Sequence, residues 1–336
     1  MLSGLGHLGF FLAKALIIIF LVLFLVVMLL VIISRARDKV KGRLTIRNLN
    51  EKLDDIKEDL LSETLPKEEF KKFLKEKKKR HKEAKKNPIT KPKVFVLQFQ
   101  GDIQASAVAG LREEVTALLT IATPQDEVVV KLESGGGMVH SYGLAASQLQ
   151  RIRDHHIPLT VAVDKIAASG GYLMASVANR ILAAPFAIIG SIGVVFQLPN
   201  FNRVLQDKHI EFEQVTAGDY KRTLTIFGKN TEEGREKLRQ ELEEIHQQFK
   251  SVITEFRKDL DLKRVATGEH WLARQALELK LVDTLITSDA YLLQRSTTAE
   301  IYELNYEIKK SLSEKFRMSL QHWMENKGWD PLLPRA

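Results

Sequence analysis

The run Leu159-Thr160-Val161-Ala162-Val163-Asp164-Lys165-Ile166-Ala167-Ala168-Ser169-Gly170-Gly171-Tyr172 reads as an apolar strand that ends in a glycine turn and passes into the small-residue helix Leu173 to Ala178. An apolar run of this length, bounded by turn residues, suits a strand buried on both faces, as in a parallel sheet. Two runs of the same kind precede it, Val94-Phe95-Val96-Leu97-Gln98-Phe99 and Val128-Val129-Val130-Lys131-Leu132. Between the strands lie stretches with apolar residues three and four apart, such as Met138, Tyr142, Ala145, Leu149 and Ile152. Strands alternating with helices predict a layered α/β domain with a mainly parallel sheet. Further on, Leu238, Leu242, Ile245, Phe249, Val252 and Phe256 form one stripe of a long helix, with Asn230 and Glu233 as its expected capping box.

Two glycine turns fall at strand ends, where α/β proteins commonly place their chemistry. One is Glu133-Ser134-Gly135-Gly136-Gly137-Met138, and the other is Ala167-Ala168-Ser169-Gly170-Gly171-Tyr172. A serine at a strand-to-helix turn is exposed, feels the positive end of the helix dipole and has a backbone N–H just beyond it. Ser169 is therefore the candidate nucleophile, and the amides of Gly136 and Gly170 are the candidate oxyanion hole, each donor worth about 3–4 kcal/mol. Each turn alone also has a plainer reading, a tight turn for the serine and a phosphate cradle for the three glycines.

The 336 residues allow one or two domains, and an apolar fraction of 45% is enough for a buried core. Without cysteine, a disulfide framework and a thiolate nucleophile are excluded. The net charge of +8 is local: Arg35 to Lys93 holds 21 Lys and Arg against 11 Asp and Glu, so the rest of the chain is slightly acidic. A basic arm of this kind reads as solvated or lipid-facing, with no nucleic-acid partner expected.

Ala15 to Ile33 is an uncharged run of 19 residues, long enough as a helix to cross roughly 28 Å of hydrocarbon. It exceeds the apolar region of a cleaved signal peptide and leads into Ser34-Arg35-Ala36-Arg37, so an uncleaved membrane anchor is expected. The basic cluster Arg35 to Arg43 favours a cytoplasmic location for the large C-terminal part. The expected domains are an anchor at 1–34, a basic helical stalk at 35–92 with Leu49, Leu53, Ile56 and Leu60 at helical spacing, a catalytic domain at 93–295 and a C-terminal helical extension at 296–336. Asn87-Pro88 and Lys91-Pro92 mark the stalk's end.

The motifs Glu133 to Val139, Asp164 to Tyr172, Gly190-Ser191-Ile192-Gly193-Val194 and Ala217-Gly218-Asp219-Tyr220-Lys221 resemble, in order, those of the bacterial signal peptide peptidase A family. The resemblance covers about Lys93 to Asp283 and implies a ClpP/crotonase-like fold, Ser169 as nucleophile and Lys221 as general base, 52 residues further on. Two positions depart from the family pattern. Gly135 stands where proline is usual, and Lys280 where glycine is usual before Leu281-Val282-Asp283. The single motif set implies a homo-oligomer, an octamer-like ring in which serine and lysine come from neighbouring subunits. It also implies a bacterial inner-membrane serine endopeptidase that needs no cofactor and cleaves hydrophobic, signal-peptide-like or misfolded envelope polypeptides. Family analogy puts the catalytic domain on the periplasmic side, against the charge rule.

A free lysine titrates near 10.4, so a lysine base has to be brought down to about 7–8 by a dry, apolar pocket or a neighbouring cation. Leu224, Ile226 and Phe227 are candidate walls, Arg222 a candidate cation, and Thr223 or Thr225 a candidate orienting hydroxyl. The competing base is histidine, His140 or His270, with Asp164 as the carboxylate a triad wants. Two other functions fit the same residues, a catalytically silent membrane scaffold that binds hydrophobic peptides and a crotonase-like acyl-CoA enzyme. Leu312, Phe316, Leu320 and Trp323 read as a contact or membrane-lying face.

Overall fold

A computed structural model of the chain describes Lys14 and residues 16–28, 42–86, 91–218 and 220–307. The chain divides into two units, Met1–Arg43 with Glu307–Ala336, and Leu44–Tyr306. In the first, residues 16–28 are helical (α1) and exposed throughout. Among the described residues no helix is long and apolar enough to cross a membrane. The expected span Ala15 to Ile33 runs past the described helix at both ends, and the stripe Leu312 to Trp323 lies outside the described residues.

The second unit is built on a ten-stranded sheet. Its strands are β1 (Arg43–Asn48), β2 (Lys93–Gly101), β3 (Glu127–Ser134), β4 (Leu159–Val163), β5 (Ile166–Ala168), β6 (Arg180–Ala183), β7 (Ile188–Gly190), β8 (His270–Leu272), β9 (Thr284–Leu285) and β10 (Glu300–Glu307). Pairing is parallel from β10 through β2, β3, β4 and β6 to β9, the mainly parallel sheet expected, and the three strands read from sequence are neighbours in it. The period of two along β2 divides the core. Phe95, Leu97 and Phe99 face the larger cluster, while Val94 and Val96 face the smaller one with Tyr291, Leu292 and Ile301. Helices α4 (Val108–Leu119), α5 (Val139–Asp154) and α6 (Gly170–Ser176) contribute to the larger cluster, and α11 (Ser288–Arg295) covers the smaller.

The sheet forks. Beyond the β3–β4 register, Ser134 at the end of β3 pairs with Ala167 of β5 instead, and β5 continues to β7 and then to the antiparallel β8. Asp164 and Lys165 separate β4 from β5, so the chain changes branch there. Both glycine turns lie at this fork.

The sheet also extends beyond the expected catalytic domain, 93–295, at both edges. Arg43–Asn48 is not stalk but strand, and β10 is not helical extension but lies between β1 and β2. Asn50, at the start of α2 (Leu49–Thr64), fixes this edge: its amide donates to the carbonyls of Ser296 and Ala299 and its oxygen accepts from Ile301 N–H. The helical spacing from Leu49 to Leu60 is indeed α2, followed by α3 (Lys67–Lys86); the two are tied by a 2.7 Å ion pair between Glu58 and Lys77. Asn87 and Pro88 lie outside the described residues. The remaining helices are α7 (Asn202–Asp207), α8 (Glu232–Phe256), α9 (Leu262–Val265) and α10 (Ala273–Glu278). The long helix α8 is capped by Thr231, whose hydroxyl accepts from Gly234 N–H, and not by Asn230, which instead binds the Thr225 backbone.

Candidate active site

Ser169 ends β5 and caps α6 with φ 52° and ψ −122°. A residue bearing a Cβ is held in such a conformation only by its surroundings, at about 1–3 kcal/mol. Here the Ser169 N–H donates to Gly190 O at 2.8 Å, and Leu173 N–H donates to Ser169 O at 3.0 Å. Gly190, from the third motif, has φ 110°, and a Cβ on it would lie 2.8 Å from the Trp271 ring, so glycine is required for β7 to meet this strand end. The half-buried serine is thus gripped at its backbone, and its hydroxyl makes no hydrogen bond among the described residues.

Below it, α6 is pinned by Tyr172, fully buried, whose hydroxyl donates to Leu281 O at 2.9 Å; burial pushes this phenol well above its usual range. The following turn is held by Arg257, which donates to both oxygens of Asp283 at 2.8 and 2.9 Å and to Lys280 O at 2.8 Å. Lys280 has φ 60°, a left-handed conformation that explains why glycine suits this position.

Gly136 faces the serine. Its φ is 89°, and an added Cβ would lie 2.7 Å from both Gly170 N and Ser169 Cβ. The two glycine turns therefore meet backbone to backbone at Ser169. The Gly170 N–H opens α6, where a helix leaves its first amides without intrahelical acceptors. The Gly136 N–H is directed at Ser134 Oγ, 3.0 Å away. Gly135 has ordinary backbone and open space, its nearest contact being Ile166 Cδ1 at 3.9 Å, so the glycine-for-proline departure leaves the turn in place.

Lys221 is exposed and lines a cavity of about 680 Å³ with Leu198, Phe212, Leu224, Ile226 and Phe227, while Ser169 and Gly136 do not line it. The expected walls and Arg222 are present. The Thr225 hydroxyl is occupied by the amides of Phe227 and Gly228 at 3.4 and 3.3 Å. No hydrogen bond joins Lys221 to Ser169 among the described residues, and Asp219 of the same motif lies outside them. From Gly193 to Thr231 no described residue is buried.

The histidine alternative finds no matching geometry. His140 and His270 are exposed, and the Asp164 carboxylate accepts from Ser288 N–H at 2.8 Å and from its hydroxyl, at the start of α11. Two residues at the site went unread in the sequence, Ser134 and Tyr142, both buried behind the glycine turns. Tyr142 sits in an apolar stripe and looks like plain core, and its hydroxyl partner is eight positions away.

A mainly parallel α/β sheet thus sets a strained serine against two glycine turns. Residues 4–149 match the model of the peptidase family S49 N-terminal region and residues 151–301 that of peptidase family S49; the chain belongs to this family. It is 44% identical over 320 residues to a probable protease SohB of Haemophilus influenzae, covering 92% of this chain and 90% of that one. It is 54% identical over 232 residues to a probable protease SohB of Buchnera aphidicola subsp. Acyrthosiphon pisum, covering 69% of each. Among solved structures, a mutant of the 1510-N membrane-bound stomatin-specific protease in complex with a substrate peptide aligns with a TM-score of 0.39 and 14% identity, over 70% of this chain and 100% of that one. The protein is thus a serine-type protease of family S49.

Proposed function

We propose that the chain is a membrane-anchored endopeptidase of ClpP/crotonase-like fold in which Ser169 is the nucleophile and Lys221, supplied by a neighbouring copy, is the general base. The observation that carries this is the close approach of Gly136 to Gly170 and to the strained Ser169, which supports a pair of amides near a hydroxyl that makes no hydrogen bond among the described residues. The separate cavity of Lys221 favours completion between copies in a ring, because the apolar walls beside the lysine lie open in the single chain.

In the proposed reaction the Ser169 proton passes to Lys221 Nζ as Oγ attacks the peptide carbonyl, and the amides of Gly170 and Gly136 take the oxyanion. The lysine proton then goes to the leaving amine. Water repeats the sequence at the acyl-enzyme and restores the hydroxyl. The apolar side chains around Lys221 fit extended hydrophobic substrate, signal-peptide-like segments or misfolded envelope polypeptides, and the run Ala15 to Ile33 would hold the enzyme at the inner membrane.

Ser169→Ala and Lys221→Ala are each expected to lower cleavage of an unfolded, apolar peptide at least about a thousandfold with unchanged circular dichroism. Full activity in either would remove the mechanism. The lack of a hydrogen bond between Lys221 and Ser169 among the described residues also suits a silent peptide-binding scaffold. Failure of a fluorophosphonate to label Ser169 in the assembled protein would favour that reading.

A further inference from the structure

Ser134 and Tyr142 are buried, and the proposed reaction assigns no role to either. Their hydroxyl oxygens lie 2.5 Å apart. Tyr142 donates to the Asp102 carbonyl at 2.8 Å. A carbonyl has no proton to offer in return, so the phenol's only proton is committed there. The proton between the two hydroxyls must come from Ser134. That leaves Ser134 Oγ as an acceptor, and the Gly136 N–H fills it at 3.0 Å. The donors therefore run one way, from Gly136 N–H through Ser134 and Tyr142 to the carbonyl at the end of β2.

The relay is also enclosed by parts of the site. A Cβ on Gly101 would lie 2.5 Å from Ser134 Oγ, and one on Gly170 would lie 2.5 Å from Tyr142 Cγ. The Tyr142 ring meets Phe99 edge-on, with centroids 6.4 Å apart. One pair of hydroxyls thus bears on β2, on the triple-glycine loop and on the first turn of α6. A loop of three glycines has wide conformational freedom, and an oxyanion donor helps only if it is already aimed when charge develops.

Resting on Ser169 as the nucleophile, we infer that Ser134 and Tyr142 are positioning residues that fix the plane of the peptide carrying the Gly136 N–H, so that this amide takes the oxyanion as a second acceptor. Neither side chain touches substrate. Their effect falls on the transition state, where the oxyanion exists, and not on ground-state binding.

Full-length Tyr142→Phe and Ser134→Ala each remove one link and add no bulk, and each is compared with wild type by thermal melting and with a chromogenic peptide ester. The expected result is a fall in kcat of about tenfold to a hundredfold with KM within about twofold of wild type. A peptide aldehyde, which forms a tetrahedral adduct on Ser169, loses affinity in parallel with kcat. The double variant is no slower than the slower single, because one broken link already opens the relay. Wild-type kcat and aldehyde affinity in either folded variant would overturn the inference while leaving Ser169-dependent cleavage standing, as would a rise in KM at constant kcat. Cleavage that survives Ser169→Ala would instead overturn the reading beneath it.

Discussion

Ser169 is surrounded by finished structure: Ala167, Ala168, Gly170 and Tyr172 beside it are buried, and its backbone is bonded on both sides. Lys221 lies in a segment with one short helix, where Val215 is 96% exposed, Val195 77% and Tyr220 64%. Both regions are rich in apolar residues, yet only the first has covered them. A lysine acts as a base when water is kept from it. The contrast teaches that one chain completes the packing around Ser169, whereas the apolar residues around Lys221 stay uncovered in it, as the proposed completion by a neighbouring copy requires.

The sharpest way to break this comparison is to mix the two inactive variants. Ser169→Ala and Lys221→Ala, co-assembled after dissociation, should regain activity that neither has alone, since some interfaces would join an intact serine to an intact lysine. No recovery, with full activity in a wild-type monomer, would place the base within the chain. A smaller effect is expected inside the cradle. Gly136→Ala forces a methyl against Gly170 N and should lower kcat about a hundredfold and stability by about 1–3 kcal/mol, read by kinetics and urea melting. Gly135→Ala, with open space around it, should leave kcat within about twofold, as overpacking has nothing to act on there. Equal losses at the two positions would show that the loop is not held as described. The smallest change is Lys280→Gly, which relieves a left-handed residue and should stabilise by about 0.5–1 kcal/mol after the entropy cost of glycine, seen as a modest rise in melting temperature.

Much of the fold around Ser169 was legible because its signals are local. Val128 to Leu132 and Leu159 to Val163 are apolar runs that only a two-sided sheet buries well, and Gly136 occupies a backbone angle that favours glycine. The edge of the sheet was not legible. Arg43–Asn48 is largely exposed and polar, and β10 is buried mainly at Ile301 and Leu304, so neither has the unbroken apolar run that marked the central strands. Ser134 and Tyr142 escaped for a different reason. Their relay ends on the Asp102 backbone carbonyl, and an acceptor that every residue possesses leaves no trace in side-chain pattern. The capping residue of α8 was misplaced by one position because Asn230 and Thr231 are both good caps; the asparagine is drawn away by the Thr225 backbone.

The strand order β1-β10-β2 also has a temporal consequence. The last strand of the described chain inserts between the first two, so β1 waits for a partner separated from it by some 250 residues, as the contact of Thr45 with Asn305 records. Pairing over such a distance is slow, and during synthesis the open side of β2 stays unpaired until the ribosome has delivered Glu300–Glu307. A nascent chain of this protease therefore cannot close this edge of its sheet before β10 has been synthesised.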